Sequence, residues 1–188
     1  MVAWLRGLLA AIAALTLGGI AMAADAENTL YMDVPFGRVV IEMRPDLAPN
    51  HCAQIKALAR RGFYDGVPFH RVIEGFMVQT GDPTGTGTGG SGHTLRSEFT
   101  SEKHVRGTAS MARASDPNSA DSQFFIMFAP SPSLDNQYTV WGRVTSGMEF
   151  IDKIKKGDPA RNGSVVNPDK IIKMQVAADA IKAGDKGK

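Results

Sequence analysis

The stretch FHRVIEGFMVQTGDPTGTGTGG, residues 69–90, decides how the rest of the 188-residue chain is read. Phe69, Arg71 and Ile73 alternate with His70, Val72 and Glu74, and a period of two places each set on its own face of a β-strand. Glu74-Gly75 supplies a turn, and Phe76, Met77, Val78 and Gln79 resume an apolar run. Thr80-Gly81-Asp82-Pro83 stops that run. Arg71 thus projects among apolar neighbours, where a guanidinium is costly unless it is paired or functional. A carboxylate at a sheet edge would satisfy it without any function. A second stretch, SMARASDPNSADSQFFIMFA at residues 110–129, shifts the balance. It reads as another strand, loop and strand, and it offers Met111, Gln123, Phe124 and Phe125. Two glutamines beside aromatic residues in apolar strands are poorly explained as core.

Outward from this centre, residues 29–34 and 38–43 read as strands joined at Pro35-Phe36-Gly37. A helix is predicted over residues 50–61, where Cys52, Ile55, Leu58 and Ala59 recur at helical spacing and Gly62 ends the run. Residues 137–144 form another strand. Ser146 is placed as the cap of a second helix over residues 147–156, with Met148, Ile151 and Ile154 inward. Residues 170–176 give the last strand, and 181–188 a short basic tail expected to be mobile. Many short strands with two helices argue for an all-β barrel or sandwich.

Residues 1–23 are set apart from the fold. Arg6, the apolar run from Gly7 to Leu17, and Ala21-Met22-Ala23 make a secretory signal peptide with an A-x-A cleavage pattern. The uncharged stretch from Gly7 to Ala24 is also at the lower length limit for a membrane span. Gly18-Gly19 and the small-residue end favour cleavage. The domain then occupies residues 24–180, a secreted or periplasmic location is expected, and no membrane attachment is expected after cleavage.

Composition narrows the function classes. Hydrophobic residues make up 43%, charged residues 21%, and the formal net charge is +2, too small to imply nucleic acid. The single cysteine, Cys52, cannot form an internal disulfide and reads as a small buried residue. Gly85, Gly87 and Gly90 formally fit G-x-G-x-x-G, yet no helix pattern follows, so a dinucleotide site is not expected and the glycines read as a flexible rim beside a cleft. The four histidines show no metal-ligand spacing; no metal or cofactor is expected, and His70 is assigned to the sheet face opposite Arg71 as a structural residue. Gly90-Ser91-Gly92-His93 is not a nucleophile elbow, which argues against a hydrolase.

Both central stretches resemble the cyclophilin family of peptidyl-prolyl isomerases. The resemblance rests on Phe69-His70-Arg71, Gly75-Phe76-Met77, Gln79, Gly81-Asp82, Met111-Ala112, Ser122-Gln123-Phe124-Phe125-Ile126 and Leu134-Asp135, in order and spacing over residues 29–176. It implies a closed eight-stranded antiparallel β-barrel capped by a helix at each end. It implies Arg71 as the catalytic residue, and Phe76, Met77, Gln79, Ala112, Arg113, Ala114, Gln123, Phe125, Leu134 and Tyr138 as the peptide-binding groove. The proline ring would rest on Phe76, Met77, Phe125 and Leu134, Ala112 and Ala114 would leave space, and the Arg113 backbone would pair with the peptide. Proline-containing polypeptides are the expected partners of a monomer. Four positions depart from the best-known members: Arg113 stands for Asn, Glu74 for Pro, Tyr138 for His and Ser133 for Trp. The last implies weak cyclosporin binding. A non-catalytic proline-peptide binder or chaperone using the same groove is the rival reading, and Arg71, which such a binder does not need, separates the two.

Overall fold

The computed structural model describes residues 25–184. Residues 1–23, read above as a signal peptide, and the last four residues of the expected tail lie outside them. Eight strands form one antiparallel sheet: β1 Thr29–Val34, β2 Gly37–Met43, β3 Arg71–Ile73, β4 Met77–Thr80, β5 Thr108–Met111, β6 Phe124–Met127, β7 Val140–Ser146 and β8 Lys173–Val176, in the spatial order β3-β4-β6-β5-β7-β2-β1-β8. The sheet curls into a half-barrel.

The expected closed barrel is therefore replaced by an open ladder whose end strands, β3 and β8, do not pair. Irregular chain fills the seam. Pro68 and Lys170 form one isolated bridge, Gly66 N–H donates to the Ile171 carbonyl at 2.7 Å, and Ile171 N–H donates to that of Val67 at 2.9 Å. The outer edge of β3 is covered by the segment 157–165. Val72 N–H donates to the Gly163 carbonyl at 2.8 Å, the Val72 carbonyl accepts from Gly157 N–H at 2.9 Å, and Val165 N–H donates to the His70 carbonyl at 3.1 Å. No bare edge remains there to recruit another strand.

Alternation in β1 and β2 sends Leu30, Met32, Val34, Val39, Ile41 and Met43 inward, where they meet Trp141, Phe124, Tyr64 and Phe69. Helix α1, Pro49–Arg60, buries Cys52, Ile55, Leu58 and Ala59 and packs against β7 and β8. It begins one residue earlier than its sequence pattern suggests, because proline is well placed in a first helical turn. No local side chain caps it. Glu98, far along the chain, accepts from the backbone N–H groups of Asn50 and His51, both at 3.1 Å.

The second helix is shorter than expected. Helix α2 spans only Met148–Ile151, and Ser146 is the end of β7 rather than a cap. Gly147 takes the cap position with φ 88°, and a Cβ there would press on the Arg38 carbonyl oxygen at 2.6 Å. A third helix, α3, Ala177–Lys182, follows β8 directly and crosses the expected start of the tail; Arg60 ties Asp179 to α1 at 2.8 Å. The strand expected over 170–176 starts only at Lys173, since residues 170–172 belong to the seam.

Candidate active site

Successive residues of β4 and β6 face opposite sides of the sheet. Val78, Phe124 and Ile126 join the large core, whereas Met77, Phe125 and Met127 form a second apolar cluster with Ile73, Phe76, Ala112, Leu134 and Tyr138 packed against it. Antiparallel register sets Arg71 opposite Gln79, and Gln79 opposite Phe125. One line across three strands thus carries a cation, an amide and an aromatic ring. Above it opens a cavity of about 530 Å³ lined by Arg71, Phe76, Met77, Gln79, Ala112, Arg113, Phe125, Leu134 and Tyr138. Gln123 and Ala114 line an adjoining cavity of about 450 Å³ that shares Gln79, Ala112 and Arg113. All eleven residues anticipated for the groove lie on one or both of these cavities.

Arg71 is half-buried and is not paired with a carboxylate. Its Nη1 donates to Gln79 Oε1 at 3.1 Å, Nε to the Asn162 carbonyl at 3.0 Å, and Nη2 to Asn162 Oδ1 at 3.0 Å. Burial lowers the guanidinium from its ordinary pKa, yet an arginine starts so high that it stays charged. Gln79 Nε2 donates onward to Gln123 Oε1 at 2.9 Å, and Gln123 Nε2 reaches the carbonyls of Gly87 and Gly89 at 3.0 and 2.8 Å. A continuous polar strut therefore runs from the 157–165 segment to the glycine-rich loop.

That loop is a rim of the cavity through Gly85, Thr86, Gly87 and Thr88, but it is pinned rather than loose. Buried Asp82 accepts from the N–H groups of Thr84, Gly87 and Gly89 at 2.8, 2.6 and 3.1 Å. Burial opposes the charge, but the Thr84 hydroxyl and these N–H donors outweigh it and hold the carboxyl at about 2. A Cβ on Gly89 would overlap the Asp82 carboxylate, which is why the loop needs a glycine there. The neighbouring carboxylate, Asp121, accepts from the Ser91 and Gly92 N–H groups at 3.0 and 2.8 Å.

The apolar wall is organised from below. Phe125 meets Tyr138 edge to face, centroids 5.6 Å apart, and the His104 ring stacks on Phe125 at 6.1 Å. Asp135 accepts from His104 N–H at 2.9 Å and faces its Nδ1 at 3.2 Å, which fixes the Leu134-Asp135 turn beside the cavity. The His104 backbone N–H, with Lys103 and the His104 ring assisting against burial, keeps Asp135 at about 2. Arg113 lies over the Tyr138 ring at 4.7 Å and donates from Nε to the Gln137 carbonyl at 3.2 Å, so it braces that rim residue.

His70 corrects the sequence reading. Regular strand begins only at Arg71, so the period of two does not extend back to residues 69 and 70: Phe69 enters the large core, and His70 lines the cavity beside Arg71. Both ring nitrogens of His70 lack protein partners, and burial lowers its pKa. Arg161, Asn162 and Ser164 are further lining residues. Their only sequence signal was an Asn-Gly pair in a polar loop, a turn signature with no hint that the turn returns to Arg71. Among the described residues no three of His, Cys, Asp and Glu gather as a metal-holding group, and no helix is long and apolar enough to cross a membrane.

Residues 29–176 match the family model of the cyclophilin type peptidyl-prolyl cis-trans isomerases. A Brucella suis protein named "Probable peptidyl-prolyl cis-trans isomerase" is 55% identical over 184 residues, covering 90% of this chain and 94% of that one. The crystal structure of a cyclophilin from Hirschia baltica is similar with a TM-score of 0.74 at 29% identity, over 82% of this chain and 76% of that one. A Cryptosporidium parvum cyclophilin type isomerase, crystallised in the presence of the dipeptide Ala-Pro, gives 0.72 at 30% identity, over 79% and 98%.

Proposed function

This chain belongs to the cyclophilin-type peptidyl-prolyl cis-trans isomerases, and from that premise we propose that it turns X-Pro bonds of exported proteins in the periplasm, with Arg71 as its catalytic residue. The observation that carries the catalytic assignment is the register line Arg71–Gln79–Phe125, which aims a fixed cation along the edge of an apolar pocket.

The chemistry sets a narrow task. A prolyl amide crosses between cis and trans over about 18–20 kcal/mol, because the C–N double-bond character must be lost. Uncatalysed exchange takes tens to hundreds of seconds. Reaching milliseconds means lowering the barrier by roughly 5–7 kcal/mol, at about 1.36 kcal/mol per tenfold. No covalent bond breaks, so the site must bind the twisted amide better than the planar one. In that twisted state the proline nitrogen becomes pyramidal and regains a lone pair, which a guanidinium N–H can bind. Phe76, Met77, Phe125 and Leu134 supply the apolar seat that holds the ring while the acyl side rotates. Burying about 100 Å² of ring is worth only about 2.5 kcal/mol, so affinity is weak and many clients are served.

Export rests on the N-terminal pattern of Arg6, apolar run and A-x-A, and the acting species is a monomer. N-terminal sequencing of the exported protein should return a start at or near Ala24. Recovery of Met1 in a detergent-requiring fraction would overturn export as a cleaved protein. For catalysis, Arg71→Ala should lower kcat/KM about 10²- to 10³-fold, the usual loss for one preorganised donor, with the fold retained. NMR exchange spectroscopy on an Xaa-Pro peptide reads this directly. An unchanged rate would remove Arg71 from the mechanism and favour a proline-peptide binder.

A further inference from the structure

We propose that Asn162 is the positioning residue of Arg71, a bracket that fixes the guanidinium so that its remaining donors face the pocket. The inference rests on the catalytic reading of Arg71 above. A guanidinium has five N–H donors. Asn162 takes two along one edge, Nε through its backbone carbonyl and Nη2 through Oδ1, both at 3.0 Å, while Gln79 takes one from Nη1. One N–H on each Nη is then left for the substrate. Holding a planar group at both ends of an edge fixes its roll as well as its place, which a single acceptor such as Gln79 cannot do.

The segment that carries Asn162 is built to stand still. Asn162 sits at φ 53°, ψ 37°, left-handed backbone that Asn tolerates better than most side chains. Ahead of it, Asp158 accepts from Ala160 N–H at 2.9 Å and caps a 3-10 turn, Pro159–Arg161. Behind it, Gly163 N–H returns to the Asp158 carbonyl at 2.9 Å, and Asp158 N–H bonds the Ser164 carbonyl at 3.0 Å. A Cβ on Gly157 would overlap the Gly163 carbonyl, and one on Gly163 would overlap Ile73. The bracket is thus locked to β3, the strand that bears Arg71, by the Val72 bonds to Gly157 and Gly163. A donor that must meet a transient lone pair needs orientation within about 0.5 Å and 10–20°, and this arrangement supplies it.

Asn162→Gly keeps the left-handed backbone and the carbonyl and removes the side-chain carboxamide with Oδ1, whereas Asn162→Asp restores an acceptor at that place. In ligand-free protein, side-chain ¹⁵N NMR of Arg71 should show faster Nη rotation and exchange in the Gly variant than in wild type. Its kcat should fall about five- to twentyfold with KM within about twofold, the scale of one lost hydrogen bond to a charged group partly replaced by water. The Asp variant should recover slow Nη rotation and most of the rate. A Gly variant with wild-type Arg71 resonances overturns the proposal whatever its rate, and so does a wild-type rate despite loosened resonances. Failure of the underlying reading would appear separately, as full activity in Arg71→Ala.

Discussion

The two faces of β4 and β6 bury their apolar residues almost equally, yet they serve opposite ends. Phe124 is 0% exposed and Phe125 5%. Phe124 meets Trp141 and Tyr64 edge to face at 5.3 and 5.7 Å inside the curl of the sheet, where α1 closes the space. Phe125 meets Tyr138 and His104 on the other side, under a cavity. The difference is what completes the packing. On the inner face other side chains fill every contact, and on the outer face one set of contacts is left for a ligand. Polar groups follow the same division: Arg71 and Gln79 stand at the margin of the unfinished cluster, while the closed core holds Cys52, whose burial pushes its thiol up to about 12 and keeps it unreactive.

The sharpest way to break this comparison is to truncate both phenylalanines. Phe124→Ala should cost about 3–5 kcal/mol of stability, the usual range for a large aromatic in a filled core. Phe125→Ala should cost less, because part of the ring's surroundings is the cavity rather than packed side chains, but should lower kcat/KM by about tenfold or more through loss of the proline seat. Denaturant melts and exchange rates on both variants decide the matter; equal stability losses would mean that the two faces are one core.

A smaller effect concerns the rim. Ser133 is exposed and its hydroxyl meets that of Ser131 at 3.3 Å, next to Leu134 on the cavity wall. Ser133→Trp should extend the outer cluster and tighten cyclosporin by about tenfold or more, since a partly buried indole adds contact area worth about 1.4 kcal/mol or more. Small proline peptides, seated deeper, should turn over as in wild type. Calorimetric titration showing equal drug affinity in both proteins would leave Ser133 irrelevant to this wall.

The smallest expected effect is on pH. Burial lowers the pKa of His70, which lines the cavity, and of His104 below Phe125, where Asp135 opposes the shift without cancelling it. Their unfolded value is near 6.5, so folding favours the neutral rings. Stability is then complete above pH 6.5 and declines as the pH falls below it toward the folded values. A second decline belongs to Asp82 and Asp135, between their ordinary 3.8 and about 2. Tm measured from neutral to acid pH should show both windows. A Tm that is flat until the carboxylate window would mean that the groove-side histidines carry no load.

Much of the site was legible because motif and period are local. The FHR, GFM and SQFFI stretches are where the resemblance names Arg71, Met77, Gln79 and Phe125, and the alternation of Phe124 and Phe125 between the two apolar clusters is the same period of two. The same rule failed at His70, because a period of two holds only where the backbone is paired as a strand, and residues 69 and 70 are seam rather than ladder. Helical spacing in turn overstated the second helix, where residues 152–156 bend away after one turn.

What the sequence by itself determined is the part of the groove that lies in and beside the central strands, Arg71, Met77, Gln79 and Phe125 among it, and the alternation that lifts these side chains onto one face. The tertiary structure alone decided that the sheet stays open between β3 and β8, that the chain of the 157–165 segment covers the free edge, and that Asn162 thereby meets an arginine 91 residues before it. The reason is physical. Strand parity and turn preference depend on neighbours a few residues apart, whereas the meeting of Arg71 with Asn162 depends on how far the sheet curls and which backbone donors remain unpaired at its edge. Those quantities exist only once the whole chain has packed.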